Sequence, residues 1–183
     1  WRGDITAAFN LPSDLLFPVR GQYLETFRRA QKSLKITTAY FIPDREILRE
    51  LIRAAQRGVN VQVLIPEYSN HILADWVGRP FYGDLLDAGV EIWLYQHAMV
   101  HAKTVTADGY RSIVGTANID RLSMAGNYEI TMQIDSADFA KRMEEVFAND
   151  LTTARRLKLE EWKSRSLGTR ILEKIVQPFS VIV

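Results

Sequence analysis

Cysteine is absent from the 183 residues, which excludes a disulfide framework, a thiolate zinc site and a cysteine nucleophile. Surplus charge is missing too. Lysine and arginine number 23 against 22 acids, a net charge of +1, so no bulk basic field draws in nucleic acid or anionic lipid and any anion recognition must be local. No run of about 18 apolar residues occurs, so the sequence encodes no bilayer-spanning helix. Acid-rich clusters suited to magnesium or calcium are lacking. His97 and His101, four apart on an extended segment, stand too far from each other to share zinc. No metal and no cofactor is therefore expected. What is present is core material: 47% of residues are hydrophobic and 25% charged, the balance of a globular domain. The first residue is Trp1, with no charged-then-apolar leader, and the chain is expected to be a processed or excised piece.

Residues 1–21 mix Gly3, Asp4, Asn10, Pro12, Pro18 and Gly21 with isolated apolar positions, and an irregular lead-in is expected there. The tripeptide Arg2-Gly3-Asp4 within it is too common to carry functional weight. Tyr23, Leu24, Phe27 and Ala30 then recur at helical spacing, and a strand follows over 34–40. Pro43 and Asp44 open a second helix with Ile47, Leu48, Leu51, Ile52 and Ala55 inward, closed by Gly58. Strands over 59–65 and 90–95 flank a less regular helical stretch over 70–88, interrupted by Gly78 and Pro80 and stopped by Gly89. This alternation implies the α/β class, a mixed and largely parallel sheet with helices on both faces. Beyond Met99 the rhythm becomes hairpin-like: strands over 100–107 and 110–115 around the turn Asp108-Gly109, a third strand over 127–134, then helices over 137–150 and 153–165. The expected organisation is one domain over 1–183, with a lead-in over 1–21, a core over 22–152 and C-terminal helices over 153–183.

A two-residue turn at Asp108-Gly109 pairs Ala107 with Tyr110, Lys103 with Val114 and His101 with Thr116. Paired residues share a face of the sheet, so His101, Lys103 and Thr116 are expected to point the same way, with Asn118 continuing on that side. Gly115 and Ala102 fall opposite each other on the other face, suited to a closely packed helix. An imidazole, an ammonium, a hydroxyl and an amide on one face are costly unless they meet water or a ligand. Together they suit a phosphate: neutral imidazole is a nucleophile, while Lys103 and Asn118 can hold two non-bridging oxygens and Thr116 can donate a further hydrogen bond.

The run His101-Ala102-Lys103, four residues, Asp108, six residues, Gly115-Thr116-Ala117-Asn118 resembles the signature of the phospholipase D superfamily, H-x-K-x4-D-x6-G-S-x-N, with Thr116 where serine is usual. The flanking Tyr40-Phe41-Ile42-Pro43-Asp44, the segment from Gly58 to Pro66, and Ile119-Asp120-Arg121-Leu122-Ser123 before Asn127-Tyr128-Glu129 are similar to the second half of bacterial cardiolipin synthases. The resemblance implies an α-β-α sandwich and a two-step reaction: His101 attacks the phosphodiester to form a phosphohistidine, and a second histidine from a second motif protonates the leaving alcohol. It implies a catalytic set of His101, Lys103, Asn118, Glu129 and Asp108, with Thr116, Lys103 and Asn118 binding the substrate phosphate. Glu129 resembles the family's histidine-orienting acid, which accepts a hydrogen bond from one ring nitrogen of His101; its bland alternative is a solvated strand glutamate. Its neighbours Tyr128, Ile130 and Met132 are expected to pack inward or against helices. Asp108 is explained equally by turn geometry, which makes it structural and distant from the phosphate. His71 and His97 have no such company and read as surface or half-buried histidines.

The implied activity is phosphatidyl transfer between phosphatidylglycerol molecules. The alternatives are a homodimeric, metal-independent phosphodiesterase or nuclease, and a catalytically incomplete half. Implied partners are a phospholipid substrate, a second motif-bearing half or homodimer mate, and a membrane surface; the implied location is the bacterial cell membrane, peripheral or through a missing segment. Leu167, Ile171, Leu172, Ile175, Val176 and Phe179 with Arg170 and Lys174 fit a helix that lies in a lipid interface or packs on the domain or its companion. Nucleic acid is a weaker reading: Arg28, Arg29 and Lys32 cluster on the first helix without stacking aromatics, as a solvated face does.

Overall fold

Helix α1 (Pro18–Arg29) begins on a proline at its first position, and α2 (Arg45–Gln56) is capped by Asp44, whose carboxylate accepts the backbone N–H groups of Glu46 and Ile47 at 2.8 and 2.9 Å. Between them runs β2 (Ser33–Thr37), and beyond α2 a left-handed Gly58 at φ +89° turns the chain into β3 (Asn60–Pro66). After α3 (Ile72–Gly78), a short turn of 3₁₀ helix (Arg79–Phe81) and α4 (Tyr82–Asp87), a left-handed Gly89 leads into β4 (Glu91–Tyr95). The hairpin is β5 (Thr104–Ala107) and β6 (Arg111–Gly115); α5 (Arg121–Ala125), β7 (Glu129–Asp135) and α6 (Ala137–Leu151) follow. The computed structural model describes residues 4–176 and Pro178, so Arg2, Gly3 and the apolar end from Phe179 to Val183 lie outside the described residues.

The strands form one eight-stranded mixed sheet in the order β1-β7-β6-β5-β2-β3-β4-β8. Its class is α/β, but the expectation of a largely parallel sheet is corrected: only β2–β3 and β3–β4 are parallel, and the other five pairings are antiparallel. The parallel unit is the helix-connected half, where a crossover reverses direction; the hairpin half can only be antiparallel. Leu34, Ile36, Val63, Val105 and Ile113 meet Phe27 of α1 and Leu51 of α2 in a solvent-free core on one face. On the other face Lys35 reaches Glu144 of α6 at 2.9 Å, so helices cover both sides.

The strand expected over 100–107 begins only at Thr104, so His101 and Lys103 precede it, and two further segments differ from the sequence reading. The expected lead-in contains β1 (Ile5–Asn10), antiparallel to β7 along its whole length. Its pattern is inverted: Phe9 is half exposed, whereas Asn10 is buried and spends its amide on the Ser123 carbonyl (2.8 Å) and the Val19 N–H (3.2 Å). No hydrophobic alternation marks such a strand. In the expected helix over 153–165, β8 (Ala154–Arg156) instead pairs with β4, and α7 covers only Leu159–Lys163. Two arginines in three residues suit a short charged edge strand.

The last described helix, α8 (Leu167–Val176), also departs from expectation. It buries Glu173, not its apolar stripe; Leu167, Ile171, Leu172 and Ile175 are exposed, while Val176 touches a small cluster with Ile42, Ala74 and Val77. Of the described stripe residues, only Val176 packs on the domain.

Candidate active site

The hairpin that carries the chemistry is shifted by one residue from the expected register. Asp108 and Gly109 are left-handed (φ +54° and +64°) and Tyr110 N–H closes the turn on the Ala107 carbonyl at 3.1 Å, but Arg111, not Tyr110, pairs with Ala107. Tyr110 is the extra residue because its carbonyl accepts Ser136 N–H from the segment entering α6 (2.9 Å). A one-residue slip flips faces. Lys103 thus lies opposite Gly115, whose N–H reaches the Lys103 carbonyl at 3.2 Å, and the expected pairings of His101 with Thr116 and of Ala102 with Gly115 do not form. Nor does Gly115 serve a helix. A Cβ there would stand 2.2 Å from the Ile130 carbonyl and 2.7 Å from Thr131 Cγ2, so it is the neighbouring strand β7 that requires glycine.

The predicted groups nevertheless converge, at the end of the sheet where β2 and β3 terminate. Lys103 is buried; its ammonium donates to the His101 carbonyl at 2.7 Å and sits 3.1 Å from His101 Nδ1, while the His101 side chain is exposed. Burial pushes the Lys103 pKa below its ordinary value, and the carboxylates of Glu129 and Asp120 oppose that push. Lys103 therefore keeps a cation in a poorly solvated spot, flanked by two acids and one imidazole.

Glu129 shares the sheet face of Lys103, two residues before Thr131, the partner of Gly115. Its carboxylate accepts the Thr116 hydroxyl, and Thr116 Oγ1 accepts the Ile130 N–H at 3.0 Å. No hydrogen bond joins Glu129 to His101 among the described residues: the expected carboxylate–histidine contact is replaced by carboxylate–threonine and histidine–lysine contacts. Tyr128 and Ile130 are exposed, contrary to the expectation that they pack inward or against helices. Above Glu129, the fully buried Tyr23 donates to the Ala117 carbonyl at 3.1 Å and fixes the turn that delivers Asn118; burial, with the nearby Glu129 charge, raises its phenol well above the ordinary range.

Asn118 lines a cleft of about 400 Å³, and its Oδ1 is buried without a hydrogen-bond partner among the described residues. The cleft wall includes Tyr40, His71, Asp120, Asn127 and Glu129. Asp120 caps α5 by accepting Ser123 N–H at 2.7 Å, and burial raises its pKa. His71 was read from sequence as a histidine without company; the fold gives it some. The Tyr40 ring stands 5.7 Å from His71 and 6.4 Å from His101, and Tyr40 OH donates to Asn70 Oδ1 at 2.6 Å. Tyr40 follows β2 and His71 follows β3, so both come to the carboxyl ends of parallel strands, where open α/β sheets hold their ligands. Position after consecutive strands was the available signal. His97, left-handed at φ +64°, lies instead in a separate shallow cavity with Tyr68, Tyr95 and Met99.

Asp108 is not in this cleft. Its carboxylate accepts the backbone N–H groups of Gln31 (3.0 Å), Lys32 (2.7 Å) and Ser33 (3.0 Å), stapling the hairpin tip to the start of β2. Burial works against the charge, and these three donors outweigh it, so the carboxyl sits below its ordinary range.

A sheet of this order has the fold of phospholipase D family proteins. A phospholipase D family member, Nuc from Salmonella typhimurium, superposes with a TM-score of 0.73 over 84% of this chain and 97% of its own at 18% identity. The phosphatidylserine synthase of Haemophilus influenzae does so with 0.73 over 97% of this chain and 45% of its own at 16% identity. Sequence narrows the class: the family described as cardiolipin synthase, PLD-like domain, matches residues 23–151, and the chain belongs to it. Among relatives, cardiolipin synthase A of Wigglesworthia glossinidia brevipalpis is 36% identical over 84% of this chain and 31% of its own length. The cardiolipin synthase of Clostridium perfringens is 36% identical over 90% and 35%. The chain thus spans about a third of the length of the relatives it matches.

Proposed function

We propose that this domain supplies one half of a phosphatidyltransferase site of cardiolipin-synthase type, acting on phosphatidylglycerol-like lipids. The observation that carries the reading is the contact of Lys103 with His101; Asn118, which lines the cleft, would turn its amide N–H donors to the phosphate. In the free site the ammonium is engaged by the imidazole. An arriving phosphodiester competes for it, so Lys103 turns to a non-bridging oxygen and releases the ring for attack. The histidine nitrogen forms a bond to phosphorus as the bond to the leaving alkoxide breaks, and that alkoxide takes a proton from a second motif's histidine. An acceptor alcohol then gives its proton to that second histidine, now unprotonated, and its oxygen bonds to phosphorus as the bond from phosphorus to the His101 nitrogen breaks. Lys103 and the Asn118 amide oppose the charge that builds on phosphorus. Thr116, held by Glu129, stands ready as a further donor, and Glu129 shapes the pocket through Thr116. Asp108 acts on the fold, not on phosphate.

Only one H-x-K motif lies in these 183 residues, so the proton donor must come from a second motif-bearing half or a second copy. Peripheral attachment to the bacterial cell membrane fits such a substrate; among the described residues no helix is long and apolar enough to cross a membrane. The basic residues of α1 do not favour nucleic acid, since Arg28 is paired with Glu46 and Arg29 with Glu25. The test is to incubate the chain with labelled phosphatidylglycerol, with and without a companion half, and quench in base to keep acid-labile phosphohistidine. Labelled protein is expected from the parent and none from His101→Ala. Equal labelling of the two, or cleavage of nucleic acid in chelator with no lipid transfer, overturns the reading.

A further inference from the structure

Helix α8 leans on the body through an acid and turns its apolar residues away. Glu173 is buried between Arg79 (Nε, 3.0 Å) and Arg165 (Nη2, 2.9 Å), and both guanidiniums lie over the Trp162 ring, at 5.2 and 3.3 Å. On the opposite stripe Leu167, Ile171 and Ile175 are 74, 58 and 61% exposed, and beside them Arg170 and Lys174 are exposed as well. Because the one acid of the helix is hidden in its ion pairs, the outward face carries three large apolar side chains, two cations and no carboxylate. That combination is complementary to the boundary of an anionic bilayer, where the apolar stripe enters the acyl region while long basic side chains reach the phosphate level. α8 packs on α3, whose Ile72 and Leu73 are exposed, and Leu73 lines the cleft.

We propose that the outer face of α8, continued by Ile72 and Leu73, docks on an anionic phospholipid bilayer and brings the mouth of the cleft to the headgroup layer. The docking geometry rests on reading the cleft as a phospholipid site; the binding itself does not. It is tested with the full chain and sedimenting vesicles of phosphatidylcholine, with or without phosphatidylserine. Binding is expected to need phosphatidylserine and to weaken with salt. Ile171→Glu with Ile175→Glu is expected to weaken it at least about tenfold by removing buried apolar area. Arg170→Glu with Lys174→Glu is expected to abolish the preference for phosphatidylserine. Both pairs are solvent-facing, so circular dichroism and Tm should match the parent. Vesicle binding unmoved by either pair overturns the proposal, as does an isoleucine pair that splits a dimer while leaving vesicle affinity intact. His101→Ala is expected to bind vesicles like the parent. If lipid transfer fails while the α8 variants still shift binding, the catalytic reading falls and the docking face stands. If transfer proceeds in detergent while the variants do nothing, the docking face falls alone.

Discussion

Single atoms at two positions separate folding from chemistry. Asn118 offers a buried, unpartnered oxygen at the cleft, an exception to the rule that such atoms are satisfied, and exceptions of this kind cluster where ligands bind. Asn118→Asp keeps size but sets a negative charge where phosphate charge develops; transfer is expected to fall by about 10²–10³-fold with Tm retained, read by turnover on labelled lipid. Asp108 behaves oppositely. Its depressed carboxyl pKa means that the folded state holds the charge more tightly than the unfolded chain, so its contribution is complete above the ordinary aspartate pKa and is lost as pH falls through the folded value. Asp108→Asn tolerates the left-handed backbone yet removes the charge. It is expected to cost about 1–3 kcal/mol near neutrality, with the gap to the parent closing in acid, as urea unfolding at several pH values will show. A gap independent of pH refutes that account.

At the scale of elements, what was legible followed from local rules. Asp44, Gly58 and Gly89 mark their helix ends because a cap and a left-handed turn are properties of a few neighbouring residues. His101 and Lys103 stay together even though the hairpin register was displaced, since they stand two residues apart in the segment that leads into β5, whatever the partner strand does. The register itself was not legible: the bulge at Tyr110 is set by Ser136, a contact from a different element. β1 and the clustering of Tyr40 and His71 near His101 were hidden for the same reason, as products of sheet order, which no periodicity encodes. Two elements carry their own tests. Gly115→Ala would drive a methyl into the β7 backbone and is expected to lower stability by about 1–3 kcal/mol or more, measured as a drop in denaturation midpoint. Glu173→Ala leaves two guanidiniums facing each other over Trp162. It is expected to release α8 with little change in the core, seen as fast hydrogen exchange confined to α8.

On the proposed mechanism the domain supplies one of the two histidines the reaction uses. A strictly monomeric chain is therefore expected to show no turnover, and activity should rise with the square of concentration or on adding a companion half, as followed by coupled ultracentrifugation and lipid transfer. Turnover that stays proportional to concentration in a proven monomer contradicts the shared site.

The strand that opens the described chain sets a limit on how the domain can be cut. Family similarity covers residues 23–151, yet β1 lies before that span and β8 after it, one at each margin of the sheet. A chain trimmed to the similar region would uncover the outward hydrogen-bonding edges of β7 and β4, and would take away the Asn10 amide that ties Ser123 to the start of α1. Bare edges recruit other edges. Such a trimmed chain should be found in the void volume of a sizing column, since the span of the family model is narrower than the sheet it belongs to.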